Sequence, residues 1–190
     1  MDAARKSPKL PAMGRMVALL RAVNVGGRKL PMAELRAHCA ALGWRDAATY
    51  IQSGNVVFDA DGAPADAEAA LEALIAREYG YEAPTIARTA AQWSAYAPGC
   101  PFPDAARDEP NRLLLLVSKR PPAGDAVDAI QARAAAGESV RAAGDALWIH
   151  YPDGSGTSKI TPAIIDKAIG SPATSRNYRT VVTLNEMLRS

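Results

Sequence analysis

The segment Ala48-Thr-Tyr-Ile-Gln-Ser-Gly-Asn-Val-Val-Phe-Asp59 decides the fold of this chain. It contains two runs, 48–52 and 55–59, that are rich in β-branched and aromatic residues. Ser53 and Gly54 separate the runs, and glycine and asparagine supply the positive φ angles that a tight turn needs. The segment therefore predicts a β-hairpin.

Strands and helices can be assigned on both sides of this hairpin. The apolar run 16–21 predicts a buried strand. A helix follows from Pro31 to Leu42, because its apolar residues recur on one helical face. The alanine-rich segment 64–79 predicts a second helix and 84–88 a further strand. The resulting order, β-α-β-β-α-β, is the ferredoxin-like order.

The order of elements starts again after a proline-rich stretch, 98–110, which we interpret as a linker. A strand over 112–118, a helix over 124–136 and a second hairpin around Gly144-Asp145 follow. Pro162 then opens another helix, and the capping box Thr183-Leu-Asn-Glu186 predicts a last one. No final strand is evident in this second copy.

These patterns predict an α+β protein made of two ferredoxin-like sub-domains, with mostly antiparallel sheets covered by helices. The expected boundaries are a disordered basic leader over 1–15, a first sub-domain over 16–97, the linker over 98–110 and a second sub-domain over 111–190.

Composition narrows the class of protein further. The chain has 190 residues, a net charge of +2 and 22% charged residues, which is not the composition of a disordered chain. Its longest apolar run, 113–117, is far shorter than the roughly 20 residues of a membrane span. Cys39 and Cys100 have no partner at short spacing, and Cys39 lies on a predicted apolar helix face. We therefore expect a cytoplasmic protein without a disulfide framework.

Four polar, glycine-marked segments are the candidate sites of function: 21–29, 52–55, 151–159 and 174–180. Glycines allow close approach of the backbone to a ligand, and arginine offers a planar fork that matches phosphate or carboxylate. The candidate ligand-binding residues are Arg21, Asn24, Gly26, Gly27, Arg28, Ser53, Asn55, Gly154, Gly156, Ser158, Lys159, Arg176, Asn177 and Arg179. Each segment also has a plain structural interpretation, as a chain turn, a flexible connection or a solvated surface.

The sequence does not decide whether the protein is an enzyme. The spacing of Gly154, Gly156 and Lys159 does not fit a Walker A loop. His38 and His150 have no partner that spacing identifies, and no paired-carboxylate, metal-ligand or nucleophile motif occurs. The sequence names no cofactor and predicts no metal site.

Several of these segments resemble one protein family. The similarity lies in 18–27, 31–36, 49–58, His150-Tyr-Pro152 with Ser158-Lys159, and 174–181, and it extends from about Met16 to Leu188. These motifs are similar to those of the bacterial DUF1697 family. One departure is Tyr178, where the family more often has tryptophan; tyrosine keeps the aromatic plane. The resemblance implies an α+β fold in a bacterial cytosolic protein, but no reaction, cofactor or catalytic residue.

The leading hypothesis is therefore a site for a small phosphorylated or otherwise anionic ligand between the two sub-domains. It requires the four segments to converge in space. A nucleic-acid-binding protein is the first alternative, because an open ferredoxin-like sheet can serve as an RNA platform. A non-catalytic interaction or assembly module that pairs through edge strands is the second. The oligomeric state is left open.

Overall fold

A computed structural model describes residues 14–190 of the chain. Most of the predicted basic leader, residues 1–13, lies outside the described residues. Its last two residues do not belong to a leader, because the first strand begins at Gly14 and pairs Gly14 with Ala60 and Arg15 with Asp59. The sequence pattern placed the start of the strand at residue 16, because Arg15 is charged and does not belong to the apolar run.

The first half has the predicted β-α-β-β-α-β order. Its elements are β1 (Gly14–Leu20), α1 (Met32–Ala41), β2 (Arg45–Tyr50), β3 (Asn55–Ala60), α2 (Pro64–Tyr79) and β4 (Thr85–Thr89). The strands form one sheet in the order β2-β3-β1-β4, in which every neighbouring pair is antiparallel. The hairpin is therefore confirmed as β2 and β3.

The connection between the halves, which includes the predicted linker over 98–110, is partly helical. It contains α3 (Ala90–Ser94) and α4 (Pro103–Asp108). A capping box opens α3, since the Thr89 hydroxyl accepts from the Gln92 N–H at 3.2 Å and the Gln92 side chain accepts from the Thr89 N–H at 2.9 Å. Cys100 and Phe102 pack against the molecule's central core, so the proline-rich stretch is part of the folded body.

The second half repeats the first. Its elements are β5 (Leu113–Ser118), α5 (Ala126–Gln131), β6 (Ser139–Ala143), β7 (Ala146–His150), α6 (Pro162–Ile169) and β8 (Ala173–Asn177), followed by α7 (Tyr178–Met187). The sheet order β6-β7-β5-β8 matches that of the first half, again with antiparallel neighbours. The helix predicted over 124–136 is shorter than expected and ends near Gln131.

Two expectations for the C-terminal segment were wrong. The second half does have a final strand, β8, which pairs with β5 from Ala173 to Asn177. The last helix begins at Tyr178, so the predicted capping box at Thr183 lies inside the helix, and Asn177 caps it instead by accepting from the Thr180 N–H at 2.9 Å. The run Thr-Ser-Arg-Asn is polar, and the acceptors that Arg176 reaches in the other half are not visible in the local pattern.

Three hydrophobic cores place the two sheets back to back. One core lies between the first sheet and helices α1 and α2, and it includes Cys39, whose predicted core position is confirmed. A second lies between the second sheet and helices α5 and α6. The third is central and is built by inner-face residues of both sheets together with α3 and α7. No helix in residues 14–190 is long and apolar enough to cross a membrane.

Candidate functional site

Three of the four polar segments meet at a cleft between the halves. The cleft has a volume of about 310 Å³ and lies where β1 leads into the loop 21–30, against the β2–β3 hairpin and β8. Its polar lining consists of Asn24, Gln52, Ser53, Thr174 and Arg176. Its apolar lining comes from Leu20 and from three residues of the following loop. The segments 21–29, 52–55 and 174–176 therefore converge.

Asn24 ties the first loop to the hairpin. Its side-chain Nδ2 donates to the carbonyl of Leu30 at 3.0 Å and to the carbonyl of Gln52 at 2.8 Å. Its Oδ1 accepts from the Leu30 N–H at 2.8 Å. Asn24 thus uses its side-chain amide to hold the cleft wall in shape.

The backbone around the cleft is strained. Ala22 and Ile51 have φ angles of 57° and 49°, in the left-handed region that costs most L-residues free energy, and Asn24 has a φ of 56°, which asparagine tolerates better. At Gly54, where φ is 76°, an added Cβ would lie 2.6 Å from Cγ2 of Val23. Such strain persists only where surrounding contacts over-determine it, and it is concentrated at functional sites.

Arg176 forms the floor of the cleft and is buried, with 8% of its surface exposed. Its Nε donates to Asn55 Oδ1, and Nη1 donates to Thr174 Oγ1 at 2.9 Å and to the Ser175 carbonyl at 2.8 Å. Nη2 donates to the carbonyls of Leu20 and Ser53, both at 3.0 Å. These contacts use the five N–H donors of the guanidinium.

The charge of Arg176 has no counter-ion among residues 14–190, because every acceptor around it is a carbonyl, amide or hydroxyl oxygen. Burial lowers the pKa of Arg176 to about 10, so the guanidinium is still charged at neutral pH. A buried, uncompensated cation is costly unless an anion is supplied.

Arg88 holds the equivalent place in the first half. It lies on β4 opposite Val17 as Arg176 lies on β8 opposite Leu115, and both partner residues face the central core. Arg88 Nη2 donates to the carbonyl of Ser118, the last residue of β5, at 2.7 Å. Arg176 likewise reaches the last residue of β1. Each arginine therefore joins its own half to the other.

The two arginines differ in charge compensation. Arg88 Nε lies 3.2 Å from Oδ2 of Asp145, which is on the second hairpin. Tyr96 donates to the other oxygen of the same carboxylate at 2.8 Å and accepts from Arg88 at 2.9 Å. In the cleft the corresponding acceptor is the neutral amide of Asn55. The negative charge of Asp145 balances Arg88, whereas the neutral amide of Asn55 does not balance Arg176.

Arg21 takes part in an ion pair between the halves. Its Nη1 lies 2.6 Å from Oδ2 of Asp166 on α6. Lys119, which follows β5 as Arg21 follows β1, lies 2.6 Å from Oε1 of Glu72 on α2. The positive charge expected of Arg21 is therefore balanced within the protein.

The fourth segment, 151–159, does not join the other three. It leads to Ile160 in the core beside α5 and α6, whereas Arg176 faces the central core, so the two lie on opposite faces of the second sheet. The expected convergence of all four segments is therefore wrong. The exposed residues Gly156 and Lys159 belong to this separate loop, as does the partly exposed Gly154.

Ser158 stabilises that separate loop. Its hydroxyl donates to the carboxylate of Glu138, which also accepts from the N–H groups of Ala135 and Ala136. The hydrogen bond from Ser158, together with these N–H groups, lowers the pKa of Glu138 to about 2. The ionised side chain of Glu138 thus holds the loop in place by accepting these hydrogen bonds.

The remaining predicted residues lie at the edges of the site or away from it. Gly26, Gly27 and Arg28 form the exposed tip of the first loop, with Arg28 Cζ 5.5 Å from the centre of the Tyr81 ring. Asn177 caps α7, and Arg179 lies in a separate surface recess beside Arg112. Their roles in binding stay predictions.

Sequence reasoning missed Gln52 and Thr174 as cleft-lining residues, although both lie inside segments it selected. Arg88 gave no sequence signal. His38 and His150 lie outside the cleft, with His38 Nε2 3.1 Å from the Tyr79 hydroxyl and His150 Nε2 2.6 Å from Oε2 of Glu109. Over residues 14–190, no cluster of three or more His, Cys, Asp or Glu side chains is arranged to hold a metal ion.

The fold and the cleft define a class of protein: a two-sub-domain, ferredoxin-like α+β protein with a polar cleft between its halves. A sequence model of the family described as "Protein of unknown function (DUF1697)" matches residues 13–148, more than half of the chain, and the chain belongs to that family. This confirms the family inferred from the sequence motifs, of which those at 18–58 lie within the matched residues.

A solved structure has the same fold. The conserved bacterial protein SP0830 from Streptococcus pneumoniae superposes with a TM-score of 0.73 at 23% sequence identity, over 93% of this chain and 99% of that one. The likeness confirms the α+β fold predicted from the sequence. A comparison with curated proteins found no match.

Proposed function

We propose that this protein binds a small anionic ligand in the cleft between its halves. The observation that carries the proposal is the buried guanidinium of Arg176, which lines the cleft without a counter-ion in the described part of the chain, while its equivalent, Arg88, is paired with Asp145. Because protein groups already use the five N–H donors of Arg176, an anion in the cleft would balance its charge through space, in surroundings that screen the interaction weakly.

The cleft has the other properties of a small-ligand site. It is concave, has a volume of about 310 Å³ and combines apolar walls with a few convergent polar groups. Ser53 and Gln52 are exposed, and the side chain of Gln52 makes no hydrogen bond within residues 14–190. The exposed cations Arg28 and Lys29 at the tip of the first loop would attract an anion from solution.

Replacing Asn55 with aspartate tests the proposal. Asn55→Asp places a carboxylate beside Arg176, as Asp145 lies beside Arg88, and removes the charge that the ligand would neutralise. We expect the wild-type protein to be stabilised by small carboxylates, sulfonates or phosphate esters, by about 2.7 kcal/mol at a hundredfold excess over Kd. The Asn55→Asp variant should lose this stabilisation in a thermal-shift measurement.

Asn185→Asp is the matched control, because it makes the same chemical change on α7, which lies towards the opposite end of β1 from the cleft. Circular dichroism verifies that both variants fold. If no anion in the panel stabilises the wild type, or if both variants lose binding equally, the proposal is wrong.

The two other functions lack a comparable observation. The inner face of each sheet is buried in the central core, whereas an RNA platform needs an open face. Side chains also accept hydrogen bonds from backbone N–H groups of the edge strands. On β4, Glu72 accepts from Thr85 and Glu68 from Ala87. On β6, Gln131 accepts from Val140. These contacts oppose pairing at those edges.

A further inference from the structure

The charge balance around the cleft distinguishes between classes of anion. Of the cations nearest the cleft, Arg21 is neutralised by Asp166 at 2.6 Å. The remaining polar lining residues are two amides and two hydroxyls: Asn24, Gln52, Ser53 and Thr174. Arg176 therefore contributes a single uncompensated positive charge to the lining.

The exposed cations do not add to the uncompensated positive charge inside the cleft. Arg28 and Lys29 are solvent-exposed, and Arg28 lies over the ring of Tyr81. Charges in water are strongly screened, whereas a buried charge is not. A ligand with two negative charges would therefore bring one charge that the cleft does not balance.

The protein provides an internal example of the matching anion. At the position that Asn55 occupies beside Arg176, the other half has the carboxylate of Asp145, which lies 3.2 Å from Nε of Arg88 and accepts a hydrogen bond from Tyr96 at 2.8 Å. A carboxylate carries one negative charge and accepts hydrogen bonds from several donors. The cleft offers the hydroxyls of Ser53 and Thr174 and the side-chain amide of Gln52 as donors.

The apolar lining and the size of the cleft restrict the rest of the ligand. Leu20, Ala22, Val23 and Val25 form its walls, and its volume is about 310 Å³. These walls favour a short apolar group over a sugar or a nucleotide, whose hydroxyl groups would lose hydrogen bonds to water.

We infer that the cleft selects a small monoanion of the carboxylate class with a short apolar tail, and discriminates against dianionic phosphate monoesters. This inference rests on the proposed function and specifies its ligand.

Three small anions of similar size test it: butyrate, propane-1-sulfonate and propyl phosphate. At pH 8 the first two carry one charge, whereas propyl phosphate carries two, because the second pKa of a phosphate ester is about 6. Sulfonate and phosphate share a tetrahedral shape, so their comparison isolates charge. Butyramide, which is neutral, serves as the uncharged control.

Titrations followed by the backbone amide signals of Ser53 and Thr174 give the affinities. We expect butyrate and propane-1-sulfonate to bind about tenfold or more tightly than propyl phosphate, and butyramide not to bind. Asn55→Asp should abolish binding of both monoanions, and Asn185→Asp should not.

The possible failures are distinguishable. Propyl phosphate binding as tightly as propane-1-sulfonate, or more tightly, overturns the inference and leaves the proposed function standing. Binding of butyramide comparable to that of butyrate overturns both, since charge is then irrelevant. Absence of binding by all three anions also overturns both.

Discussion

Asn55 and Asp145 have side chains of nearly the same shape, and the difference between amide and carboxylate sets the charge of the cleft. Asn55 Oδ1 accepts from Arg176, and its Nδ2 donates to the Tyr50 carbonyl and the Ser53 hydroxyl, both at 2.9 Å. Sequence reasoning selected Asn55 and Arg176 as ligand-binding residues. It could not pair them, because they lie in different halves of the chain.

The buried indoles of Trp93 and Trp148 provide a test at the residue scale. Both are 0% exposed, but Trp93 Nε1 donates to the Val181 carbonyl at 3.1 Å, whereas Trp148 Nε1 has no hydrogen-bond partner among residues 14–190. Replacement by phenylalanine removes the same atoms at each site. We expect Trp93→Phe to lower the free energy of unfolding by about 2 kcal/mol more than Trp148→Phe, because the first removes a hydrogen bond, whereas the second removes a buried N–H that has no partner among residues 14–190.

Urea unfolding of the two variants measures this difference. Each serves as the control for the other, since the loss of side-chain volume is the same. Equal losses of stability would contradict the hydrogen-bonding pattern that distinguishes the two indoles.

At the scale of elements, the turn of the β2–β3 hairpin contains a residue whose backbone conformation is unfavourable for its side chain. Ile51 is β-branched, has a φ angle of 49° and is 51% exposed. Its conformation is set by the neighbouring contacts: Asn24 holds the carbonyl of Gln52, and Gly54 packs against Val23. The turn is therefore shaped by the first loop as well as by its own residues.

Ile51→Asn tests whether this turn stores strain. Asparagine tolerates the left-handed region better than isoleucine, and little buried surface is lost. We expect the free energy of unfolding to increase by about 1 kcal/mol, measured by urea unfolding.

Val25→Asn is the control, because Val25 is 58% exposed and lies outside the left-handed region. It should give no such increase. An Ile51→Asn variant that is no more stable than the wild type would show that the turn is not strained.

Elements with strong local patterns were predicted well. Apolar alternation and turn residues identified the first hairpin, and α2 spans the predicted range, with Gly80 at a φ of 70° ending it. β8 was missed because its residues are polar. Arg176 and Thr174 point into the interface and are stabilised there by groups of the first half and by each other.

At the scale of the whole molecule, the halves are joined in a reciprocal way. Arg88 reaches the end of β5, and Arg176 reaches the end of β1. The ion pairs Arg21–Asp166 and Lys119–Glu72 repeat the pattern. Neither sheet can keep its inner face buried without the other.

We therefore expect the two halves to unfold together. Native-state hydrogen exchange should give the slowest amides of β1 and β5 the same free energy of opening, equal to that of global unfolding. Circular dichroism and tryptophan fluorescence should report one coincident transition in urea. A first sheet that stays protected after the second has exchanged would contradict this expectation.

The sequence by itself determined most of the two repeats of strands and helices, the α+β class, the family and three of the polar residues that line the cleft, Asn24, Ser53 and Arg176. These follow from hydrophobic periodicity, turn residues and motif similarity, which are local along the chain. The tertiary structure alone decided that three polar segments converge and the fourth does not, and that Arg21 is neutralised while Arg176 is not. Burial and charge compensation depend on which groups meet across the interface between the halves, and residues such as Asn55 and Arg176, far apart in sequence, acquire their electrostatic roles only when the two sheets pack together.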